Sequence, residues 1–371
     1  MSDDELRDLI WLTMVPGVGP QTGRALLEAF GSAGAVLGAS TIRLRGVDGV
    51  GPKLAEKIGR ARDEHDPDRE LALCRERGVT PIAGGVPGYP EALAEIADPP
   101  NLLYVRGSIE PRDALAVAIV GSRKCTPYGI RIAEKLAASL ARVGLTIVSG
   151  LARGIDAAAH RGALRVGGRT IAVLANGLNE IYPPEHEGLA AEIAGSGAVL
   201  SEMPMRQQPL AGLFPQRNRI ISGLSLGVIV VEATPRSGSL STASHATDQN
   251  REVFAVPGPV DSLSSVGCHR LIRDGARLVE TADDVLEELG PKVRNIRIVD
   301  EPDSPAAPHP AQISLSEQER NVLGLLGETP QGIDAVIAAT RLGASQVMAT
   351  LSVLEMRRLV RRLPGQQFVR A

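Results

Sequence analysis

Four short stretches of this sequence carry residues whose types and spacing could do chemistry. Two are glycine-bearing loops, Gly121-Ser-Arg-Lys-Cys-Thr-Pro-Tyr-Gly129 and Ser149-Gly-Leu-Ala-Arg-Gly-Ile-Asp156. Glycine lets a backbone approach an anion and leaves its N–H groups free, so Gly121 and Gly150 suit a phosphate beside a helix N-terminus. Ser122 and Ser149 add hydroxyl donors, and Arg123 and Arg153 add guanidinium forks that match phosphate oxygens. The third stretch, Phe214-Pro-Gln-Arg-Asn-Arg219, sets an aromatic ring just before Arg217 and Arg219. That set suits a base unstacked from a single strand; a core phenylalanine at a helix start is the plainer reading. The fourth, Ser237-Gly-Ser-Leu-Ser-Thr-Ala243, places Ser237 and Gly238 in a further loop of glycine and hydroxyls.

Other polar residues nearby read as structural. Arg153 and Asp156 are spaced to form an internal ion pair holding the second loop, and Asn218 to orient loops. Glu232 falls at a strand end. His160 lacks a second His, Cys or carboxylate at ligand spacing and reads as a packed histidine, with no metal site around it.

The elements that must position these loops follow from apolar patterning. Leu115-Ala-Val-Ala-Ile-Val120 is a continuous β-branched run, as expected of a strand buried on both faces of a parallel sheet. A helix from Ile130 to Val143 and a strand at Leu145-Thr-Ile-Val148 come next. Further strands are expected at Leu102 to Val105, Arg169 to Leu174, Ala198 to Leu200, Leu226 to Glu232 and Val253 to Val256, alternating with helices. The alternation predicts an α/β, Rossmann-like doubly wound sheet whose ligand loops lie at the carboxyl ends of the strands. Neither Gly-x-Gly-x-x-Gly nor a Walker A lysine motif follows the first strand, so no dinucleotide or other cofactor is expected.

Composition narrows the function classes. The chain has 371 residues, 43% of them hydrophobic, enough for two or three domains. The formal net charge of −3 gives no global basic field, so nucleic-acid binding requires a local patch. Aromatic residues make up only 2%, too few for a broad stacking platform. Cys74, Cys125 and Cys268 are scattered without a Cys-x-x-Cys pair, which predicts a reduced, cytoplasmic protein. The acidic start and the lack of a ~20-residue apolar run predict neither signal peptide nor membrane span.

The flanks have their own organisation. Pro16-Gly-Val-Gly-Pro20 and Val47-Asp-Gly-Val-Gly-Pro52 each stand between helical stretches and resemble the helix-hairpin-helix motif. Phosphate binding and a small protein-interaction domain both fit. Asp303-Ser-Pro-Ala-Ala-Pro-His-Pro310 reads as a linker. Beyond it, helices over 316–326, 332–340 and 344–356 and a hairpin turning at Pro364-Gly365 resemble a winged helix. Arg357, Arg358, Arg361, Arg362 and Arg370 make that end basic, which suits a duplex or a protein partner. The expected domains are 1–65, 66–290 and 313–371, with a linker over 291–312.

Taken in order, Ile119-Val-Gly-Ser-Arg123, Val148 to His160, Phe214 to Leu224, Val231 to Ala243, Val256-Pro-Gly258 and Gly267 to Ala276 resemble the DNA-processing protein A family (DprA, also called Smf). The match runs from about Pro81 to Glu280. The resemblance implies a cytosolic bacterial protein that binds single-stranded DNA, forms a homodimer through its Rossmann-like domain and delivers incoming DNA to the RecA recombinase in natural transformation. It implies a binder and loader, not an enzyme. Family members often carry a basic residue shortly before the phenylalanine; Pro209-Leu-Ala-Gly-Leu213 has none. The Ser237 loop is also similar in position to the Pro-Gly-Gly-x-Gly-Thr-x-x-Glu loop of lysine-decarboxylase-like phosphoribohydrolases. A nucleotide-binding or nucleotide-hydrolysing enzyme is therefore the alternative, against which stands the absence of that glutamate in Ala243-Ser-His-Ala246.

Overall fold

A computed structural model describes residues 1–293, 316–326, 331–340, 342–356, 359–363 and 367–370. The apolar runs of the central region become β2 (Leu102–Gly107), β3 (Ala116–Gly121), β4 (Thr146–Ser149), β5 (Thr170–Val173), β6 (Ala198–Ser201), β7 (Gly227–Val231) and β8 (Glu252–Ala255), after β1 (Val79–Ala83) and before β9 (Arg277–Leu278). β3, β4, β5 and β7 are buried along nearly their whole length, so they have no polar face to alternate. The nine strands form one sheet in the order β1-β2-β6-β5-β4-β3-β7-β8-β9. From β6 to β9 every pairing is parallel, whereas β2 and β1 add antiparallel at one edge. β1 carries Pro81, which is tolerated because the strand lies at the sheet edge, paired on one side alone with β2.

The chain lays β4, β5 and β6 to one side of β3, then returns to place β7 on its other side. The strand order reverses there, and the carboxyl ends of β3 and β7 flank the crevice this reversal leaves. One sheet face is covered by the helix Pro127–Arg142, which starts at Thr126, whose hydroxyl accepts the Gly129 N–H, and buries Ala133, Leu136, Ala137 and Leu140. The other face receives Ile220 and Ile221 of the helix Leu213–Gly223. Each such side chain contributes roughly 1.5–3 kcal/mol of burial when large and aliphatic.

The two glycine hairpins lie between helices as expected, Pro16–Pro20 between Asp3–Met14 and Pro20–Phe30 and Val47–Pro52 between Thr41–Leu44 and Pro52–Gly59. They are packed together, with Lys57 Nζ donating to the Pro16 carbonyl at 3.3 Å. These helices share a hydrophobic cluster with Leu102, Tyr104 and Ala172 of the sheet. Glu70, buried at this junction, accepts the Met205 N–H at 2.6 Å. The chain therefore divides into two compact units, Met1–Val299 and Asp300–Ala371.

In the second unit the helix Glu317–Leu325 begins with a reciprocal Ser316–Glu319 cap, and Ile333–Thr340 and Ala344–Met356 follow. The strands β10 (Gln331–Gly332), β11 (Val360–Leu363) and β12 (Gln367–Arg370) pair in the order β10-β12-β11. The linker at 303–310, the Pro364-Gly365 turn, Arg357 and Arg358, and the side chains of Arg361, Arg362 and Arg370 lie outside the described residues. Among the described residues no single helix is long and apolar enough to cross a membrane.

Candidate nucleic-acid interface

A cleft of about 570 Å³ opens where the strand order reverses. Three turns and one helix converge on it: Ser122–Lys124 after β3, Ala152 and Asp156 after β4, Thr234–Ser239 after β7, and the first turns of Leu213–Gly223. Its size falls within the usual range for small-ligand sites.

The rim is open and positively charged. Arg123 is exposed, forms no ion pair among the described residues, and holds its guanidinium carbon 4.8 Å from the centre of the Phe214 ring. Phe214 is half-buried, with the Tyr182 ring 6.1 Å away and tilted by 56°. The helix that carries Phe214 buries Ile220 and Ile221 two turns later, which leaves the ring at the helix start facing the cleft instead of the core. Lys124 is a second exposed cation at the same lip.

The floor is closed. Arg217 is only 4% exposed; its Nη1 donates to the Gly150 carbonyl at 2.7 Å and to that of Val173. Burial lowers the Arg217 guanidinium to about 10, against the opposing pull of Asp156. Asp156 is buried too, accepts the Ala152 N–H at 3.3 Å, and is pushed above the ordinary carboxylate range by desolvation, with Arg217 pulling it back. The expected Arg153–Asp156 pair does not form, because Asp156 is buried and accepts the Ala152 N–H while exposed Arg153 pairs with Glu185.

Several residues expected to contact a ligand are instead committed to the fold. Ser149 is fully buried and its hydroxyl donates to the Ile119 carbonyl at 2.6 Å, tying β4 to β3. Arg219 points away from the cleft and pairs with Glu202 at 2.5 Å and Asp98 at 3.1 Å. Gly121 and Gly150 serve close packing: a Cβ at 121 would run into the Val231 carbonyl, and one at 150 into the Arg217 guanidinium. His160 is fully buried with Nδ1 2.7 Å from the Thr170 hydroxyl, and desolvation depresses it to about 3.

The helix N-termini at the cleft are not equivalent. The first, at Pro127–Arg142, holds the Glu232 carboxylate, which accepts from the Thr126 N–H at 2.8 Å and from its hydroxyl. The second, at Ile155–Leu164, holds the Asp156 carboxylate. In both, an internal anion already occupies the place expected for phosphate, so the turns after β3 and β4 offer a ligand the Arg123 side chain more than their backbone. The third, at Ser239–Asp248, has no acid in its first turn, and the Ser237 hydroxyl accepts the Ser239 N–H at 3.4 Å. Asn218 donates to the Gly238 carbonyl there at 3.2 Å, the loop-orienting role its position suggested.

Sequence reasoning did not single out Lys124, Tyr182, Ser239, Ser241 or Thr242. For Thr242 a signal was present: it stands four residues after Gly238, on the same side of a helix begun at that glycine. Tyr182 comes from the loop after β5, distant in sequence from Phe214, and no local pattern joins them.

Comparison with known proteins gives three matches along the chain: DNA recombination-mediator protein A over residues 82–290, the DprA winged helix domain over 305–366, and a SAM-like helix-hairpin-helix tandem over 10–61. Protein Smf of Synechocystis sp. is 37% identical across 98% of both chains. The DNA processing protein DprA of Streptococcus pneumoniae is 48% identical over 54% of this chain and 71% of its own. The crystal structure of that protein aligns with a TM-score of 0.65 at 38% identity, covering 76% of this chain and 97% of the other. A structure described as revealing the single-stranded DNA binding mode of Helicobacter pylori DNA processing protein A aligns with a TM-score of 0.51 at 32% identity, covering 58% and 96%.

Proposed function

The chain belongs to the DNA recombination-mediator protein A family, a family of DNA-processing proteins, and from this premise we propose that its cleft binds single-stranded DNA. The observation that carries the reading is the exposed Arg123 guanidinium laid over Phe214 at the lip of the cleft. A base stacked on that ring is worth ~1–3 kcal/mol, and the guanidinium has donors left for a neighbouring phosphate. A duplex keeps its bases inside the stack and cannot present one to the ring, so single strands are preferred. The Helicobacter pylori relative, described as binding single-stranded DNA, supports the assignment.

The DNA-contacting set is Arg123, Phe214, Ser122, Ser237 and Gly238, with Gly121, Gly150 and Arg217 shaping the floor and Arg153 available once released from Glu185. With few aromatics the binding is mainly electrostatic, and affinity falls steeply with salt. The protein acts as a binder: Asp156, the carboxylate that lines the cleft among the described residues, is buried and accepts the Ala152 N–H, which leaves it poorly placed to act as acid or base. In this reading the protein works as a homodimer through its Rossmann-like core, protects incoming strands and loads the RecA recombinase onto them.

The test is binding of a fluorescent oligothymidine across a salt series with duplex competitor, followed by RecA filament nucleation on the coated strand. Single-strand preference and faster nucleation are expected. Equal binding of duplex and single strand, or no effect on nucleation, would overturn the respective part.

A further inference from the structure

The turn that carries Arg123 runs from Ser122 to Thr126, and one residue at the end of a different strand holds both of its ends. At the start, the Ser122 N–H donates to the Glu232 carbonyl at 2.8 Å. At the finish, the Glu232 carboxylate accepts from the Thr126 N–H at 2.8 Å and from the Thr126 hydroxyl. Glu232 directly follows β7 and adopts a left-handed φ of 53° there. A residue with a Cβ takes up that conformation at a cost, so it persists where its surroundings hold it, and functional sites concentrate it. The carboxylate passes so close to Gly129 that a Cβ at that position would lie 2.6 Å from Oε2. Glycine closes the loop for that reason.

The other side of the turn is held as well. The Ile155 N–H donates to the Ser122 carbonyl at 3.3 Å, and a Cβ at Gly154 would run into the Ser122 and Arg123 carbonyls. The Ser122 hydroxyl accepts the Lys124 N–H at 3.1 Å. Arg123 and Lys124 are the residues of the turn that remain exposed. Helix capping does not account for Glu232, because Thr126 already caps the helix Pro127–Arg142, its hydroxyl accepting the Gly129 N–H at 3.2 Å.

We propose that Glu232 is a positioning residue for DNA: by pinning Ser122 and Thr126 it fixes the backbone from which Arg123 reaches the strand. This rests on the reading of Arg123 as a DNA contact. A guanidinium whose backbone is set before binding loses less freedom when it meets a phosphate. The sign of the effect separates two roles. Glu232 is an anion beside a site for a polyanion, so charge alone makes its removal strengthen binding. Positioning makes its removal weaken binding.

The experiment measures the affinity for a fluorescent oligothymidine and the melting temperature of the full chain, as Glu232→Ala, Glu232→Gln, Arg123→Ala and the double variant of Glu232→Ala with Arg123→Ala. Glu232→Ala is expected to weaken binding by about three- to tenfold, the value of ordering one long side chain. Glu232→Gln keeps an oxygen for the Thr126 N–H and an amide donor for its hydroxyl, and is expected to restore most of the affinity. In the Arg123→Ala background, Glu232→Ala is expected to cost no further affinity, because its effect passes through that side chain. Where Glu232→Ala does not fold, Thr126→Val takes its place in the same cycle; it loses one of the two links to the carboxylate and is expected to weaken binding by about twofold or more. A lowered melting temperature with unchanged affinity, tighter binding without the carboxylate, or an equal further loss in the Arg123→Ala background would overturn the proposal and leave the DNA site standing. Unchanged binding by Arg123→Ala itself would remove the DNA site from this turn.

Discussion

Arg123 and Arg217 enter one cleft from two sides, and their surroundings give the same guanidinium opposite tasks. Arg217 on the floor is buried, donates to the Gly150 and Val173 carbonyls, and faces Asp156. Arg123 on the rim is exposed, without a carboxylate partner among the described residues, and rests on an aromatic ring. A buried guanidinium whose Nη1 is already directed at two carbonyls is tied into the fold, and removing it takes that donor from both. An exposed one has lost little in folding and can gain much on binding. A family of arginines in a glycine-rich site therefore does not share one role; accessibility and prior partners decide which ones meet DNA.

The strongest way to break this contrast is Arg217→Ala. It removes the donor to the Gly150 and Val173 carbonyls, so the expected loss is about 3 kcal/mol of folding stability in urea denaturation. A loss below 1 kcal/mol accompanied by lost DNA affinity would move Arg217 from floor to rim. The next largest effect sharpens the rim: Phe214→Ala is expected to weaken oligothymidine binding by ~1–3 kcal/mol, with a smaller change in stability because the ring is only half-buried.

A pH series probes the floor from another direction. His160 has its ordinary value of 6.5 in the unfolded chain and about 3 in the folded one. Between these values the unfolded chain holds a proton that the folded one does not, so stability falls as pH is lowered through this window. The slope is at most ~1.4 kcal/mol per pH unit. Asp156 and Glu202 oppose it, since burial raises both carboxyls and the folded state takes up their protons first. His160→Gln is expected to remove the histidine's share of the slope, measured by denaturation between pH 4 and pH 7 (roughly the span between the two values); an unchanged slope would refute its buried neutral state. The smallest effect is at Arg153, whose ion pair with Glu185 is solvent-exposed: Arg153→Ala is expected to leave the melting temperature unchanged and to alter the salt dependence of binding by about one phosphate contact.

Much of the architecture was legible from local pattern. The run from Ala116 to Val120 and its successors are apolar without alternation, which in a parallel sheet leaves no other placement. The edge strands β1 and β9 were not, because one contains Pro81 and the other is two residues long. In the site, Arg123 and Phe214 could be named from the sequence because each is unusual in its own segment. Which arginine faces outward could not, since the partners of Arg217 and Arg219 come from segments 17 to 67 residues or more away in the chain, Glu202 and Gly150 among them. The two carboxylates at the helix starts were equally hidden: Glu232 lies 106 residues from the Thr126 N–H it accepts.

The central claim is that the rim binds and the floor supports. Its most direct test is the affinity of wild type and Arg123→Ala for oligothymidine over a salt series, each sample also melted to report stability. The account predicts an unchanged melting temperature, about tenfold or greater loss of affinity at low salt, and a salt slope shallower by about one phosphate contact. Equal affinity and equal slope in the two proteins would contradict it and move the DNA site away from this cleft.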